Sequence, residues 1–200
     1  IIHLCERDCS IQRRHQKIIE IAPCPSISEN LRKTIGVTAI AAARAVGYSN
    51  AGTVEFLLDD YNHFYFMEMN TRIQVEHPIT EEVVGVDLVV RQIRIASGAI
   101  LDLEQSDIKA RGFAVEARIT AENVWKNFIP SAGKIGEYYP ALGPGVRVDS
   151  HIYKDYTIPP FYDSLLAKLI VKATSYDQVI NKLERALKEF VIDDVRTTIP

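Results

Sequence analysis

Between positions 68 and 76 the chain reads "EMNTRIQVE", placing Glu68, Asn70, Arg72, Gln74 and Glu76 on every second residue. Two carboxylates and an amide oxygen suit a hard divalent cation. Magnesium fits such a sparse set because it keeps several waters and takes its remaining ligands from substrate phosphates. A guanidinium presents a fork of donors to a planar oxyanion, Gln74 adds hydrogen bonds, and Glu76 could accept a proton. In an extended backbone alternate side chains share a face, so all five are expected to project to one side. The plain alternative is an exposed strand edge decorated with charge.

A further carboxylate joins this row through the element that must hold it. "GTVEFLL" and "FYFMEMN" flank "DDYNH" and are rich in β-branched and aromatic residues, the signature of a hairpin. A turn centred near Tyr61 and Asn62 puts Glu55 opposite Glu68. Facing carboxylates repel unless both reach water. Strongly apolar neighbours argue instead for a partly buried pair that needs a cation or a shared proton. Glu55, Glu68 and Asn70 are therefore the candidate metal ligands. Near the start, "ERDCSIQRRHQK" gathers Arg13, Arg14, His15 and Lys17 into a local positive field suited to a polyphosphate or another anion.

The remaining pattern supplies the scaffold. Ser26 and Glu29 have capping-box spacing before "NLRKTIGVTAIAAARAVG", a helix that Gly47 would stop. A second helix is expected from Leu88 to Ser97, with Asp87 as N-cap and Gly98 as its stop. After a break near residue 110, "FAVEARI", "GKIGEYY", "GVRVDSHIY" and "AKLIVKA" read as strands. "SYDQVINKLERALKEF" reads as an amphipathic helix with Val179, Ile180, Leu183, Leu187 and Phe190 on one side. Arg118, inside "FAVEARI", reads as an ordinary exposed strand arginine. The first residues, "IIHLCERDC", are strand-like.

With 200 residues, 47% hydrophobic and a net charge of −3, the composition is that of a globular chain able to bury a core. It offers no electrostatic reason to expect nucleic acid or an anionic membrane as partner. No apolar run approaches a membrane span and no signal peptide is evident, so a cytoplasmic location is expected. Cys5, Cys9 and Cys24 lack zinc-site spacing and are expected to be reduced thiols. The chain opens without an initiating methionine and stops at "VRTTIP", so it is expected to be a piece of a longer protein.

"ERDCSIQRRHQK", "AGTVEFL" and "FMEMNTRIQVEHPITE" resemble the signature segments of biotin carboxylases, which are ATP-grasp enzymes. The resemblance continues through "RGFAVEARITAE", "PSAGKI" and "SHIYKDYTIPPFYDSLLAKLIV", over essentially the whole chain. It implies an α+β fold. Residues 1–110 would form the C-terminal half of an ATP-grasp domain, an antiparallel sheet with helices, and 111–200 a truncated biotin carboxylase C-terminal domain. The implied activity uses ATP to convert bicarbonate to carboxyphosphate and then carboxylates biotin borne on a carrier protein.

By that resemblance Glu55, Glu68 and Asn70 bind magnesium or manganese, and Gln12, His15, Glu55, Leu57 and Glu68 serve ATP. Lys17, Arg72, Gln74 and the backbone amide of Val75 form the bicarbonate pocket. Glu76 is the base that deprotonates bicarbonate, and Arg118 stabilises the biotin enolate. Implied partners are a biotin carboxyl carrier protein, carboxyltransferase subunits and a second copy of the chain, with "GPGVRVD" and its Arg147 matching a stretch near the dimer contact. The first choice of context is the acetyl-CoA carboxylase of fatty-acid synthesis, because pyruvate carboxylases tend to have proline after the asparagine of "EMN". Carboxylases acting on propionyl-CoA, methylcrotonyl-CoA or pyruvate, another ATP-grasp ligase, and a non-catalytic interaction module are the alternatives. Where relatives often carry "AEDP" this chain has "AENVWKNF". The resemblance also places the glycine-rich lid and the ATP-clamping lysines upstream of Ile1, so these 200 residues are not expected to turn over alone.

Overall fold

A computed structural model describes residues 1–200 and divides them into two compact units, one of residues 1–8 and 22–111, the other of residues 9–21 and 112–200. In chain order the first elements are β1 (Asp8–Arg13), β2 (Gln16–Ala22), α1 (Glu29–Ala45), β3 (Thr53–Leu58), β4 (Phe64–Asn70), α2 (His77–Val84) and α3 (Leu88–Ala96). They are followed by β5 (Phe113–Thr120), β6 (Glu122–Asn123), β7 (Ile129–Pro130), β8 (Gly133–Lys134), β9 (Tyr138–Tyr139) and β10 (Val146–Ser150). The last are β11 (Thr157–Ile158), β12 (Leu165–Ala173), α4 (Tyr176–Glu189) and β13 (Val191–Ile192). The chain is α+β, and no helix is long and apolar enough to cross a membrane.

In the first unit, α1 starts two residues beyond where the capping-box spacing put it. Ser28, not Ser26, is the N-cap, its hydroxyl accepting from the Leu31 amide at 3.2 Å, while Ser26 lies against the Cys24 sulfur. Glycine inside this helix has a packing reason, because a Cβ on Gly36 would meet the His3 imidazole at 2.6 Å. Glu6 ties the helix down, accepting from Arg32 Nε at 2.9 Å and from the Cys24 amide at 3.0 Å. The strand-like opening residues do not pair until Asp8.

β3 and β4 form the expected antiparallel hairpin with Glu55 opposite Glu68, and a bulge follows between Glu55 and Phe56. Its turn is built by Asp59, whose carboxylate accepts from the Tyr61 and His63 amides while Asn62 takes a left-handed φ of 66°. α3 has the expected cap, Asp87 accepting from the Val90 amide at 2.8 Å.

The second unit is a five-stranded sheet in the order β1-β2-β5-β12-β10. Ala117, Ile119, Leu169 and Val171 line the face under α4, where Val179, Leu183, Ala186 and Phe190 close the core. Ile180 is on the rim and 37% exposed, so the apolar side of α4 is narrower than its periodicity suggested. Gly112 enters β5 at φ 71°, and a Cβ there would lie 2.3 Å from the Ala173 carbonyl oxygen.

Candidate functional site

In the first unit the site is a chain of polar contacts. Asn70 Nδ2 donates to Glu55 Oε1 at 3.3 Å and to Glu68 Oε1 at 2.8 Å, so one amide stands between the two cross-strand carboxylates. Gln74 Nε2 donates to the same Glu55 oxygen at 2.7 Å. Arg72 Nη2 donates to Asn70 Oδ1 at 3.3 Å, and its Nη1 to the Ile73 carbonyl at 3.1 Å. Five of the predicted residues thus meet through hydrogen bonds.

The route by which they meet is not the predicted one. β4 ends at Asn70, and the chain turns before α2 begins at His77 with proline in its first turn. Arg72 is exposed, Gln74 is 6% exposed, Val75 points its side chain outward, and Glu76 is 2% exposed at the N-cap position of α2. Even spacing suggested one extended face; the chain instead leaves the strand and carries Glu76 to a helix start. The positive end of the helix dipole favours a carboxylate there, while the His77 amide donates to the Gln74 carbonyl at 3.2 Å and the Glu76 side chain makes no cap hydrogen bond.

Nor do the apolar neighbours bury both acids of the pair, since only Glu55 is half-buried. Leu57 and Phe66 are each 60% exposed, Tyr65 and Met67 are exposed as well, and Glu68 itself faces outward. What relieves the repulsion is the shared Asn70 donor, not exclusion from water. That position tests the metal assignment. A site where an N–H donor bridges two carboxylates is one that a hard cation can take. Turning the amide over would offer Oδ1 as a third oxygen, a donor set that suits magnesium or manganese.

In the second unit, Arg14 and His15 form the tight turn between β1 and β2, at φ 49° and 65°. Arg13 is not an open charge: its Nη2 lies 2.8 Å from Glu122 Oε2 and its guanidinium sits 3.9 Å from the Phe128 ring centroid. Arg14 Nη2 donates to Asn127 Oδ1 at 3.1 Å. The divergent "AENVWKNF" loop therefore braces this turn. Gln12 is exposed and donates to the Cys9 carbonyl at 2.8 Å, His15 is exposed, and Lys17 is half-buried on β2.

Arg118 is not the exposed strand arginine that its local sequence suggests. It is half-buried, with Nε 2.7 Å and Nη2 2.6 Å from Oε1 of Glu20, a β2 residue with no exposed side-chain surface. Arg118 stands opposite Lys168, which stands opposite Asp149. Lys168 Nζ lies 3.5 Å from the Asp149 carboxylate, to which Arg147 donates at 2.8 Å. Burial pushes the Asp149 carboxyl up, but Arg147 and Lys168 outweigh it and hold it below the usual range. Sequence reasoning missed Glu20, whose signal was an acid inside the apolar strand "KIIEIA". It also missed Arg7, whose Nη2 donates to Gln74 Oε1 at 2.5 Å.

Residues 1–104 match the family described as carbamoyl-phosphate synthase L chain, ATP binding domain, and residues 116–200 match the biotin carboxylase C-terminal domain. The chain belongs to the biotin carboxylase family. It is 56% identical over its whole length to biotin carboxylase 1 of Bacillus subtilis, spanning 44% of that protein. It is equally identical, at 56%, to a pyruvate carboxylase subunit of Methanothermobacter thermautotrophicus, of which it spans 40%. Among solved structures, it superposes with a TM-score of 0.97 on the biotin carboxylase domain dimer of the Hydrogenobacter thermophilus 2-oxoglutarate carboxylase, solved with MgADP, ADP and bicarbonate. Identity there is 50%, over 100% of this chain and 44% of that one. The chain thus spans under half the length of these biotin carboxylase relatives.

Proposed function

We propose that the chain forms part of an enzyme that uses ATP to activate bicarbonate and transfers the carboxyl group to biotin on a carrier protein. The observation that carries this reading is the contact chain from Glu68 through Asn70 and Glu55 to Gln74. It joins a cation-binding end to an oxyanion-binding end within hydrogen-bond distances.

Glu55, Glu68 and Asn70 would hold the magnesium or manganese ion, which supplies charge neutralisation at the transferring phosphoryl group. Arg72 offers bicarbonate a planar pair of donors and the Val75 amide a further one. Gln74 Nε2 carries two hydrogens; Glu55 accepts one, and the second is suited to a bicarbonate oxygen. Glu76 takes the bicarbonate proton, making the oxyanion a better nucleophile. Arg118 stabilises negative charge on the biotin ureido oxygen, with Glu20 fixing the guanidinium plane. For Gln12, His15 and Leu57 toward ATP, and Lys17 toward bicarbonate, support comes from the family resemblance.

The two family matches support an ATP-grasp portion over residues 1–110 and a C-terminal portion over 111–200. As context we favour the acetyl-CoA carboxylase of fatty-acid synthesis, in which the biotin carboxylase works as a homodimer with a carrier protein and carboxyltransferase subunits. The second reading is a pyruvate carboxylase component, favoured by the 56% identity to the Methanothermobacter protein.

The test is ATP cleavage by the chain extended to the length of its relatives. Cleavage should depend on bicarbonate, rise with free biotin, ignore glutamine and be lost in Glu76→Gln. Stimulation by glutamine instead of biotin would overturn the assignment in favour of another ATP-grasp ligase.

A further inference from the structure

We propose that Arg7 is a positioning residue that fixes the amide of Gln74, and through it the Glu55 carboxylate; this rests on the carboxylase reading above. A glutamine amide can sit either way round, with oxygen and nitrogen exchanged, and both orientations have nearly the same shape. Chemistry chooses between them here. A guanidinium only donates, so the Gln74 atom 2.5 Å from Arg7 Nη2 must be the oxygen. An ionised carboxylate only accepts, so the atom 2.7 Å from Glu55 Oε1 must be the nitrogen. The two charged neighbours therefore select the same orientation from opposite ends. Because Gln74 is buried, a reversed amide would set oxygen against carboxylate and N–H against guanidinium with little water to relieve either.

Arg7 is itself held in plane. Its Nη1 donates to Thr80 Oγ1 of α2 at 2.9 Å, and Nη2 also reaches Thr53 Oγ1 of β3 at 3.2 Å. One guanidinium thus links the strand that carries Glu55, the turn that carries Gln74 and the helix that follows Glu76. Lysine keeps the charge but has no planar fork, so it cannot hold all three acceptors in this arrangement. Without the fork, the Gln74 N–H proposed to meet bicarbonate loses its direction.

The experiment compares Arg7→Lys, Gln74→Leu, the double variant and Thr80→Val in the chain extended to the length of its relatives. Arg7→Lys should raise KM for bicarbonate by about 10- to 100-fold, the usual effect of losing a partner that orients a binding group, with no matching change in KM for biotin. The double variant should be no worse than Gln74→Leu, because Arg7 acts through that amide. A second readout needs no turnover: the side-chain amide resonances of Gln74, assigned through Gln74→Leu, should be shifted and exchange-protected, and should lose both properties in Arg7→Lys. Additive losses in the double variant, equal losses in Thr80→Val and Arg7→Lys, or amide resonances unmoved by Arg7→Lys would each overturn the proposal. A parent chain lacking bicarbonate-dependent ATP cleavage would sink the carboxylase reading, while the amide resonances would still decide the role of Arg7.

Discussion

Replacing Arg118 by methionine removes the guanidinium that donates to Glu20 Oε1 from Nε at 2.7 Å and Nη2 at 2.6 Å, and leaves a carboxylate with no exposed surface. A hydrogen bond to a charged group contributes about 1.5–3 kcal/mol, so two give roughly 3–6 kcal/mol before solvent is considered. Arg118 keeps 19% of its side-chain surface exposed, so water entering the vacated space offsets a small part of the loss, while the Glu20 side chain itself has no exposed surface. The expected cost is therefore about 3–5 kcal/mol, the range for breaking a buried pair from one side. Against a typical domain stability of about 5–15 kcal/mol, that leaves the second unit marginal. Glu20→Gln keeps an acceptor but loses the charge and should cost about 1–2 kcal/mol. The double variant Glu20→Leu/Arg118→Met should recover to within about 1 kcal/mol of the parent, since both polar partners go together. Urea unfolding followed by far-ultraviolet circular dichroism measures all five proteins, the single variant Glu20→Leu included, with an unchanged m-value as the condition for comparison. If Arg118→Met costs under about 0.5 kcal/mol, or the double variant equals the sum of Arg118→Met and Glu20→Leu, the buried-pair reasoning fails.

Gly112→Ala should destabilise the second unit by at least about 1–2 kcal/mol, because φ is 71° and the new Cβ would strike the Ala173 carbonyl; a thermal midpoint unchanged from the parent would refute it. Asp149 has a folded-state pKa held below its ordinary value, so its stabilisation is complete above the ordinary carboxylate range near pH 4 and fades as pH falls through the lower folded value. Urea midpoints should therefore fall on acidification below about pH 4, and Asp149→Asn should flatten that slope. Burial first, then the Glu6 charge, pushes the Cys5 thiol up, so alkylation at pH 8 should be slower for Cys5 than for a free cysteine and should become fast in urea. Asp87→Ala should cost about 1 kcal/mol by removing the α3 cap, read as a lower thermal midpoint.

Local signals carried much of the fold. α3 was legible because a capping side chain and a stop lie close together in sequence, and α4 because of its apolar period. The β3–β4 hairpin was legible because its turn chemistry sets a register, which brings Glu55 opposite Glu68. For α1 the same signals marked the helix but misplaced its cap, since Ser26 and Ser28 compete and only geometry shows which hydroxyl meets an amide. α2 was hidden because its eight residues follow directly on an alternating run that reads as strand.

The sequence by itself determined which groups are available: a cross-strand acid pair, an amide beside it, a guanidinium, a second amide and a third acid, in an order that resembles one enzyme family. Tertiary structure alone decided how they are held. Gln74 receives its orientation from Arg7, 67 residues away, and Arg118 its buried acid from Glu20, 98 residues away. Hydrogen bonds need about 3 Å and a direction, and residue spacing supplies neither once the chain has turned.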